Sequence, residues 1–334
     1  MTRRINVAIV GIPGTTAEAV VTALEERDFP VGEVFLLSED ASAGGALRHF
    51  GKTLKIQPVS SFDFSQAEIA FFCGDAALSH ANAPAAAESG CVVIDCSPAY
   101  RDDPEVPLVI PEVNPQALDG FRQRNMVALP SPTTLFLLMV LKPLHDAAGV
   151  VRADVTSYES VSVQGKPGVD ELSGQIVALM NMREAEIATF SERIAFNIIP
   201  QVGALLENGY TEGEMEMVTE TQKILGDTGI TLNPTAVQVP VFYGNSLSVH
   251  LQTVSTLTAD EARLILGEQA GITLESSPTP AIQGASQDQV YVGRVRDAVA
   301  EGGGINLWIT SDNTRKGAAL SAVQIAELLE KCYM

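Results

Sequence analysis

The sequence predicts an α/β fold in two parts: a first domain built on a parallel sheet and a second, α+β domain. Two observations carry this reading. Short apolar, β-branched runs alternate with helix-period segments through the first third of the chain, the pattern of βαβ units. After Leu129-Pro130-Ser131-Pro132 the texture changes, and longer strand-like segments follow with antiparallel character.

In order along the chain, Ile5–Val10 reads as a buried strand and Thr15–Glu26 as a helix, with Ala19, Val20, Ala23 and Leu24 at helical spacing. Val34–Leu37, Ile69–Phe72 and Cys91–Ile94 read as further strands, and the Ala-rich stretch Ala76–Ser89 as a helix. Continuous apolar runs suit parallel strands covered on both faces. In the second part, a helix over Thr134–Asp146 leads into an alternating strand, Asp154–Val163. Strands are expected at Thr235–Phe242, Leu247–Thr256 and Ile305–Thr310, with helices at Val169–Glu186 and Thr211–Leu225. A last helix, Lys316–Lys331, places Ala319, Leu320, Val323, Ile325, Ala326 and Leu329 on its apolar positions. The expected domains are 1–130 together with 313–334, and 131–312.

The chain has 334 residues, with 21 Lys+Arg against 41 Asp+Glu, a net charge of −20. That balance argues against nucleic acid and against anionic membrane surfaces, both of which need Lys/Arg clusters. The start of the chain lacks a signal-peptide core, and the longest apolar run, Leu135–Leu141, is far short of a membrane span. Four cysteines without a CxxC pair predict neither a disulfide framework nor a structural metal site. A cytoplasmic location with reduced thiols is the expectation.

Gly11-Ile12-Pro13-Gly14-Thr15-Thr16-Ala17 follows the first strand and opens the first helix. Glycine allows a tight turn and close approach to a pyrophosphate, and the helix start supplies free N–H groups to an anion. Gly11, Gly14, Thr15 and Thr16 are therefore candidate dinucleotide-binding residues. The second strand ends at Ser38-Glu39-Asp40. A carboxylate there accepts hydrogen bonds from ribose hydroxyls and repels a 2′-phosphate, so NAD is expected over NADP, the alternative being that no dinucleotide binds.

Three further strings are distinctive: Pro107-Leu108-Val109-Ile110-Pro111-Glu112-Val113-Asn114, Glu220-Thr221-Gln222-Lys223-Ile224-Leu225, and Leu307-Trp308-Ile309-Thr310-Ser311-Asp312-Asn313-Thr314-Arg315-Lys316-Gly317-Ala318-Ala319. Together they resemble the aspartate-semialdehyde dehydrogenase family, and the resemblance covers essentially the whole chain. It implies a Rossmann-type first domain, a second domain that forms a dimer interface, and a C-terminal helix returning to the first domain. The implied chemistry is NADP-dependent interconversion of aspartyl phosphate and aspartate semialdehyde, through a cysteine nucleophile and a histidine acid/base. Arg101 and Glu220 match the family's substrate or anion-binding positions, and Ser38, Glu39, Gly74 and Asn313 fall at its cofactor positions.

The departures fall on the chemistry. The family's Pro-Asn-Cys-Ser/Thr-Thr string is here Pro130-Ser131-Pro132-Thr133-Thr134, so Pro132 stands at the cysteine and Ser131 reads as a helix N-cap. Asn245 stands at the histidine, Glu159 at a glutamine, Gln238 at an arginine, and Glu216 at a lysine. Asn245 carries no proton that exchanges near neutral pH. His250 is expected on the opposite face of its strand, and His49, His80 and His145 belong to no constellation. Asp75, in Cys73-Gly74-Asp75, is expected to bring negative charge to the cofactor loop. Cys96, beside Arg101, is open to two readings, a relocated nucleophile or a small residue at a strand end; Cys73, Cys91 and Cys332 read as structural or inert.

No catalytic residue and no metal ligand is expected. The expectation is a divergent family member without the family's activity, acting as a ligand-binding or dimer-forming paralogue. The alternatives are an NAD(P)-dependent oxidoreductase of amino-acid biosynthesis working through another group, and an interaction protein that pairs with an active paralogue. A homodimer is the expected assembly.

Overall fold

A computed structural model of the protein describes residues 3–39, 45–299 and 303–333. The chain forms two compact units, one made of 1–130 with 318–334 and the other of 131–317.

In the first unit, β1 (Ile5–Val10) runs into α1 (Thr15–Glu26), as the periodicity predicts. Then come β2 (Val31–Ser38), the hairpin β3 (Ala46–His49) and β4 (Lys52–Pro58), β5 (Ile69–Phe72), α2 (Ala76–Glu88), β6 (Val92–Asp95) and β7 (Met126–Ala128). The sheet order is β3-β4-β2-β1-β5-β6-β7, parallel throughout except for the β3–β4 pair. The central strands β1 and β5 are buried along nearly their whole length, which is why they read as unbroken apolar runs. On α1 the stripe Ala17, Val20, Val21, Ala23 and Leu24 packs into the unit's core.

The second unit begins with α3 (Pro132–Ala148), whose interior from Thr133 to Leu141 is wholly buried, and β8 (Val150–Glu159). It continues through α4 (Gly165–Met180), α5 (Glu212–Leu225), β9 (Thr231–Gln238), β10 (Asn245–Thr253), α6 (Ala259–Gly267), β11 (Ile272–Leu274), β12 (Val290–Asp297) and β13 (Ile305–Ser311). The chain then enters α7 (Leu320–Tyr333), which packs beside α1 in the first unit. The second sheet has the order β11-β12-β13-β10-β8-β9. It is mixed rather than antiparallel alone, since β8–β9 and β11–β12 are parallel pairs.

Three expected boundaries move. The strand over 154–163 stops at Glu159, because the Ser160 N–H leaves the ladder for the Asn245 side chain. The strand over 235–242 is β9, which ends before Val239-Pro240, where proline offers no ladder donor. Pro234 is tolerated inside β9 because β9 is an edge strand. The return to the first unit begins at 318 rather than 313, because Asn313 is tied to Ser160, Ser162 and Gly244 of the second unit. Among the described residues no helix is long and apolar enough to cross a membrane.

Candidate functional site

The candidate dinucleotide residues converge at the start of α1. Gly11 follows β1 with φ +108°, and its N–H and that of Ile12 both donate to the Leu37 carbonyl. A Cβ on Gly11 would lie 2.8 Å from the Gly74 nitrogen, and one on Gly14 would lie 2.5 Å from the Gly11 oxygen. Only glycine fits either position without moving backbone. Gly14 is the N-cap of α1 and supplies no side-chain cap, so the amides of the first turn at Thr15 and Thr16 keep no side-chain partner there. Beside them lies a cavity of about 430 Å³ lined by Gly11, Ile12, Pro13, Ser38, Glu39, Gly74, Asp75 and Leu78. Exposed Glu39, just past β2, lines the cavity's edge. Asp40 lies outside the described residues. The cradle fits a dinucleotide.

Asp75 has a second employment. Its carboxylate accepts from the Leu78 N–H at 2.8 Å and caps α2. The residue both lines the cavity and holds the helix start.

Arg101 is buried in the first unit. It donates to the Leu129 carbonyl at 3.1 Å and to the Cys96 carbonyl at 3.4 Å, tying the ends of β6 and β7. Nearby Asp95 accepts from Ser79 Oγ and from the N–H and hydroxyl of Ser97. Burial raises its carboxyl above the ordinary range against the pull of those bonds.

All five departing positions belong to the second unit: Glu159, Gln238 and Asn245 on one sheet face, Glu216 on α5 and Pro132 at the start of α3. Glu159 pairs with Gln238 across β8–β9. Ser157 pairs with Leu247 on β10, so Asn245, two residues before Leu247, shares the face of Ser157 and Glu159. All three side chains, Glu159, Gln238 and Asn245, are buried. Gln238 Nε2 donates to the Glu159 carbonyl at 2.8 Å, and Asn245 Oδ1 accepts from the Ser160 N–H and hydroxyl. Asn245 Nδ2 is buried with no hydrogen-bond partner. His250 lies on the other face, as expected from the odd spacing.

Glu159 is the most perturbed carboxyl of this face. Burial pushes it up to about 7, opposed by the Ser157 hydroxyl at 3.0 Å and reinforced by the charge of Glu216 on α5. Four residues on from Glu216, and so on the same side of α5, Glu220 reaches the start of α3. Its carboxylate accepts the Ser131 N–H at 3.0 and 3.1 Å and the Ser131 hydroxyl at 2.8 Å. Ser131 is the N-cap, accepting from the Thr134 N–H, and Pro132 occupies the first turn. A Cβ on Gly317 would fall 2.6 Å from Pro132 Cβ, so the proline ring is packed directly against that backbone.

Asn313 is a structural hub. Its Oδ1 accepts from the Ser160 and Ser162 hydroxyls and the Gly244 N–H, and its Nδ2 donates to Ser162. Ser157, Ser160 and Ser162, which hold this face together, carry no motif in the sequence; each is a lone serine near a strand end. Chemically, the face offers a proton-exchanging carboxyl at Glu159 and no thiol, since all four cysteines belong to the first unit.

The Glu220 grip has a measurable consequence. Glu220→Ala strips two donors on Ser131 of a charged acceptor, and the cost is about 2–3 kcal/mol. A fall in the unfolding midpoint of several degrees is expected by calorimetry, while Glu220→Gln recovers part of it.

Comparison with known proteins agrees with this arrangement. Residues 6–121 match the semialdehyde dehydrogenase NAD binding domain, and residues 141–316 match the semialdehyde dehydrogenase dimerisation domain. An aspartate-semialdehyde dehydrogenase of Shewanella violacea is 48% identical over 337 residues, covering 100% of both chains. Aspartate-semialdehyde dehydrogenase 2 of Vibrio cholerae is 48% identical, again over 100% of both. The crystal structure of aspartate semialdehyde dehydrogenase II from Vibrio cholerae complexed with ASA superposes with a TM-score of 0.98, covering 99% of this chain and 100% of that one at 48% identity. A glycine cradle at the start of α1, two domain matches in one order and end-to-end relatives at this identity leave one assignment: the chain belongs to the aspartate-semialdehyde dehydrogenase family.

Proposed function

We propose that this protein is a homodimeric family member that retains a dinucleotide and ligand-binding scaffold and does not carry out the family's phosphate-dependent aldehyde oxidation. The observation that carries the reading is the start of α3. Forming a thioester needs a thiol there, and Pro132 has no nucleophilic atom. The hydroxyl one residue earlier does not replace it: Ser131 Oγ is bound to Glu220 and Thr134 as a helix cap. A carboxylate is too weak a base to generate an alkoxide at neutral pH.

The rest of the face supports this. The acid/base position holds Asn245, whose Oδ1 is occupied by Ser160. Carboxylates at 159 and 216 stand where the family resemblance places a neutral amide and a lysine. A phosphorylated, carboxylate-bearing substrate meets repulsion of about 4 kcal/mol per unit charge pair at 4 Å and an effective dielectric of 20. The orphaned Asn245 Nδ2 supports a retained ligand role, because a buried donor is costly unless a bound group accepts from it.

On the first unit, Gly11, Gly14, Thr15 and Thr16 would hold the dinucleotide's phosphates and Glu39 its ribose hydroxyls, which favours NAD over NADP. When bound, a nicotinamide dinucleotide supplies a hydride acceptor. Without a thiol adduct on the second unit, no tetrahedral centre is built to give up the hydride.

Homodimerisation rests on the matched dimerisation domain and on apolar side chains left exposed in the second unit: Val177, Met180, Met182 at 98%, Phe196 at 62% and Leu205. Sedimentation of the wild type should give twice 35.4 kDa. Met182→Asp with Phe196→Asp should shift it toward the monomer.

The deciding assay follows NADH or NADPH formation from aspartate semialdehyde and phosphate, with NAD and NADP supplied separately to protein purified free of host enzyme. No turnover above the protein-free control is expected from the wild type or from Pro132→Cys alone. Turnover by the wild type overturns the reading and makes Ser131, Cys96 and Glu159 the next substitutions.

A further inference from the structure

The first unit holds a pair of cysteines that the family reaction does not use. Strands β5 and β6 run parallel, and their last paired residues are Phe72 and Asp95. The Cys96 N–H donates to the Phe72 carbonyl at 2.9 Å, and the Cys73 N–H donates to the Val10 carbonyl at 2.9 Å. The next step in register therefore sets Cys73 beside Cys96 on adjacent strands, with side chains toward one face. Strand neighbours are about 4.8 Å apart, inside the Cα separation that a disulfide spans. Both side chains pack against the same apolar core of the first unit. Both cysteines are half-buried, whereas Cys91 is fully buried and Cys332 lies exposed in the last helix.

We infer that Cys73 and Cys96 form a reversible disulfide that resets the rim of the dinucleotide cavity. The link to the cavity is covalent and short. Gly74 follows Cys73 and lines the cavity, and its backbone is packed so closely on Gly11 that a Cβ there would lie 2.8 Å from the Gly74 nitrogen. The carbonyl of Cys96 is the one that Arg101 holds. Both strands end at the residue before their cysteine, and past the Cys73 N–H the chain leaves the sheet, so drawing the sulfurs into a bond bears on the Cys73-Gly74-Asp75 loop.

The step needs an external oxidant, and a low-molecular-weight disulfide of the glutathione class supplies it. One cysteine thiolate attacks a sulfur of that disulfide and releases one small thiol. The second cysteine attacks the protein sulfur of the mixed disulfide and releases the other. Two protein thiols are oxidised, one small disulfide is reduced to two thiols, and the two protons end on those thiols. The neighbouring Cys96 thiol, burial and the Asp95 charge hold the Cys73 thiol well above the ordinary range, so Cys73 is the poorer attacker and acts as the resolving cysteine.

The test uses the full-length protein incubated with oxidised glutathione, alkylated and mapped by peptide mass. The expected result is loss of two of the four thiols, a peptide linking Cys73 to Cys96, and reversal by dithiothreitol. Cys91→Ser and Cys332→Ser should behave as wild type, and Cys73→Ser should trap glutathione on Cys96. Mapping of the wild type needs no variant to fold. Glutathione on Cys332 with Cys73 and Cys96 still free overturns the inference. So does hydrogen exchange at residues 11–16 and 74–78 that is identical in the oxidised and reduced forms, because the bond would then leave the cavity untouched.

Discussion

Pro132→Cys combined with Asn245→His stays far below a fivefold variant that also carries Glu159→Gln, Glu216→Lys and Gln238→Arg. The double variant restores a thiol and an imidazole but leaves the charge of the face inverted. The Glu216 carboxylate, where the resemblance places a cation, and a partly ionised Glu159 then confront an anionic substrate. Reversing that field is worth roughly 4 kcal/mol or more, about 10³-fold in kcat/KM. The two groups of substitutions separate kinetically. The charge set acts on substrate binding and appears chiefly in KM; the thiol and imidazole act only in the transition state and appear in kcat. Steady-state assays with aspartate semialdehyde, phosphate and either dinucleotide read both. If the double variant matches the fivefold one, the carboxylates do not govern anion binding, and the account of this face fails.

The same face shows how far residues alone carry a reading. Matching Pro130–Thr134, Glu159, Gln238 and Asn245 to a motif needs only their order in the chain. What each residue does locally depends on partners distant in sequence. Glu220 grips Ser131 across 89 residues, and Asn313 ties down Ser160 across 153. Asp75 lines the dinucleotide cavity and also caps α2, a second role set by the helix that starts one residue later. Cys73 and Cys96 meet only through the register of two strands joined by a crossover, which no spacing rule reveals.

In the fold, β1, α1 and β5 were legible to the residue, since complete burial writes an unbroken apolar run and one buried face writes a clear helical period. The β3–β4 hairpin was missed because its strands alternate exposed and half-buried residues at the sheet edge, with a turn at Phe50 and Gly51, both at positive φ. Helix α6 did leave a signal, the Thr258–Glu261 capping box, but its nine residues are too few for periodicity to speak. Strand β12 is interrupted by a register shift between Gly293 and Arg296, which breaks its alternation.

Glu159→Gln should stabilise the protein at mildly alkaline pH and leave it nearly unchanged in acid. Glu159 is 7% exposed, and its carboxyl is pushed from 4.5 to about 7, chiefly by burial. A carboxyl raised in the folded state binds a proton there that it has already lost in the unfolded chain. Between those two values stability therefore falls as pH rises, and above the folded value the full penalty remains. The difference of 2.5 corresponds to about 3 kcal/mol. Glutamine cannot ionise, and its amide oxygen can still accept from the Ser157 hydroxyl, now 3.0 Å from the carboxylate. The variant and wild type should then unfold together at about pH 4 and diverge by a few kcal/mol at about pH 8. Denaturant midpoints at the two values read the difference, and other titrating groups cancel because both proteins share them. Glu216→Gln should narrow the gap by removing the charge that reinforces the shift. A gap that stays constant with pH would mean that Glu159 ionises as freely as in water. A wild type that gains on the variant as pH rises would mean that its carboxylate is paired with a cation on this face.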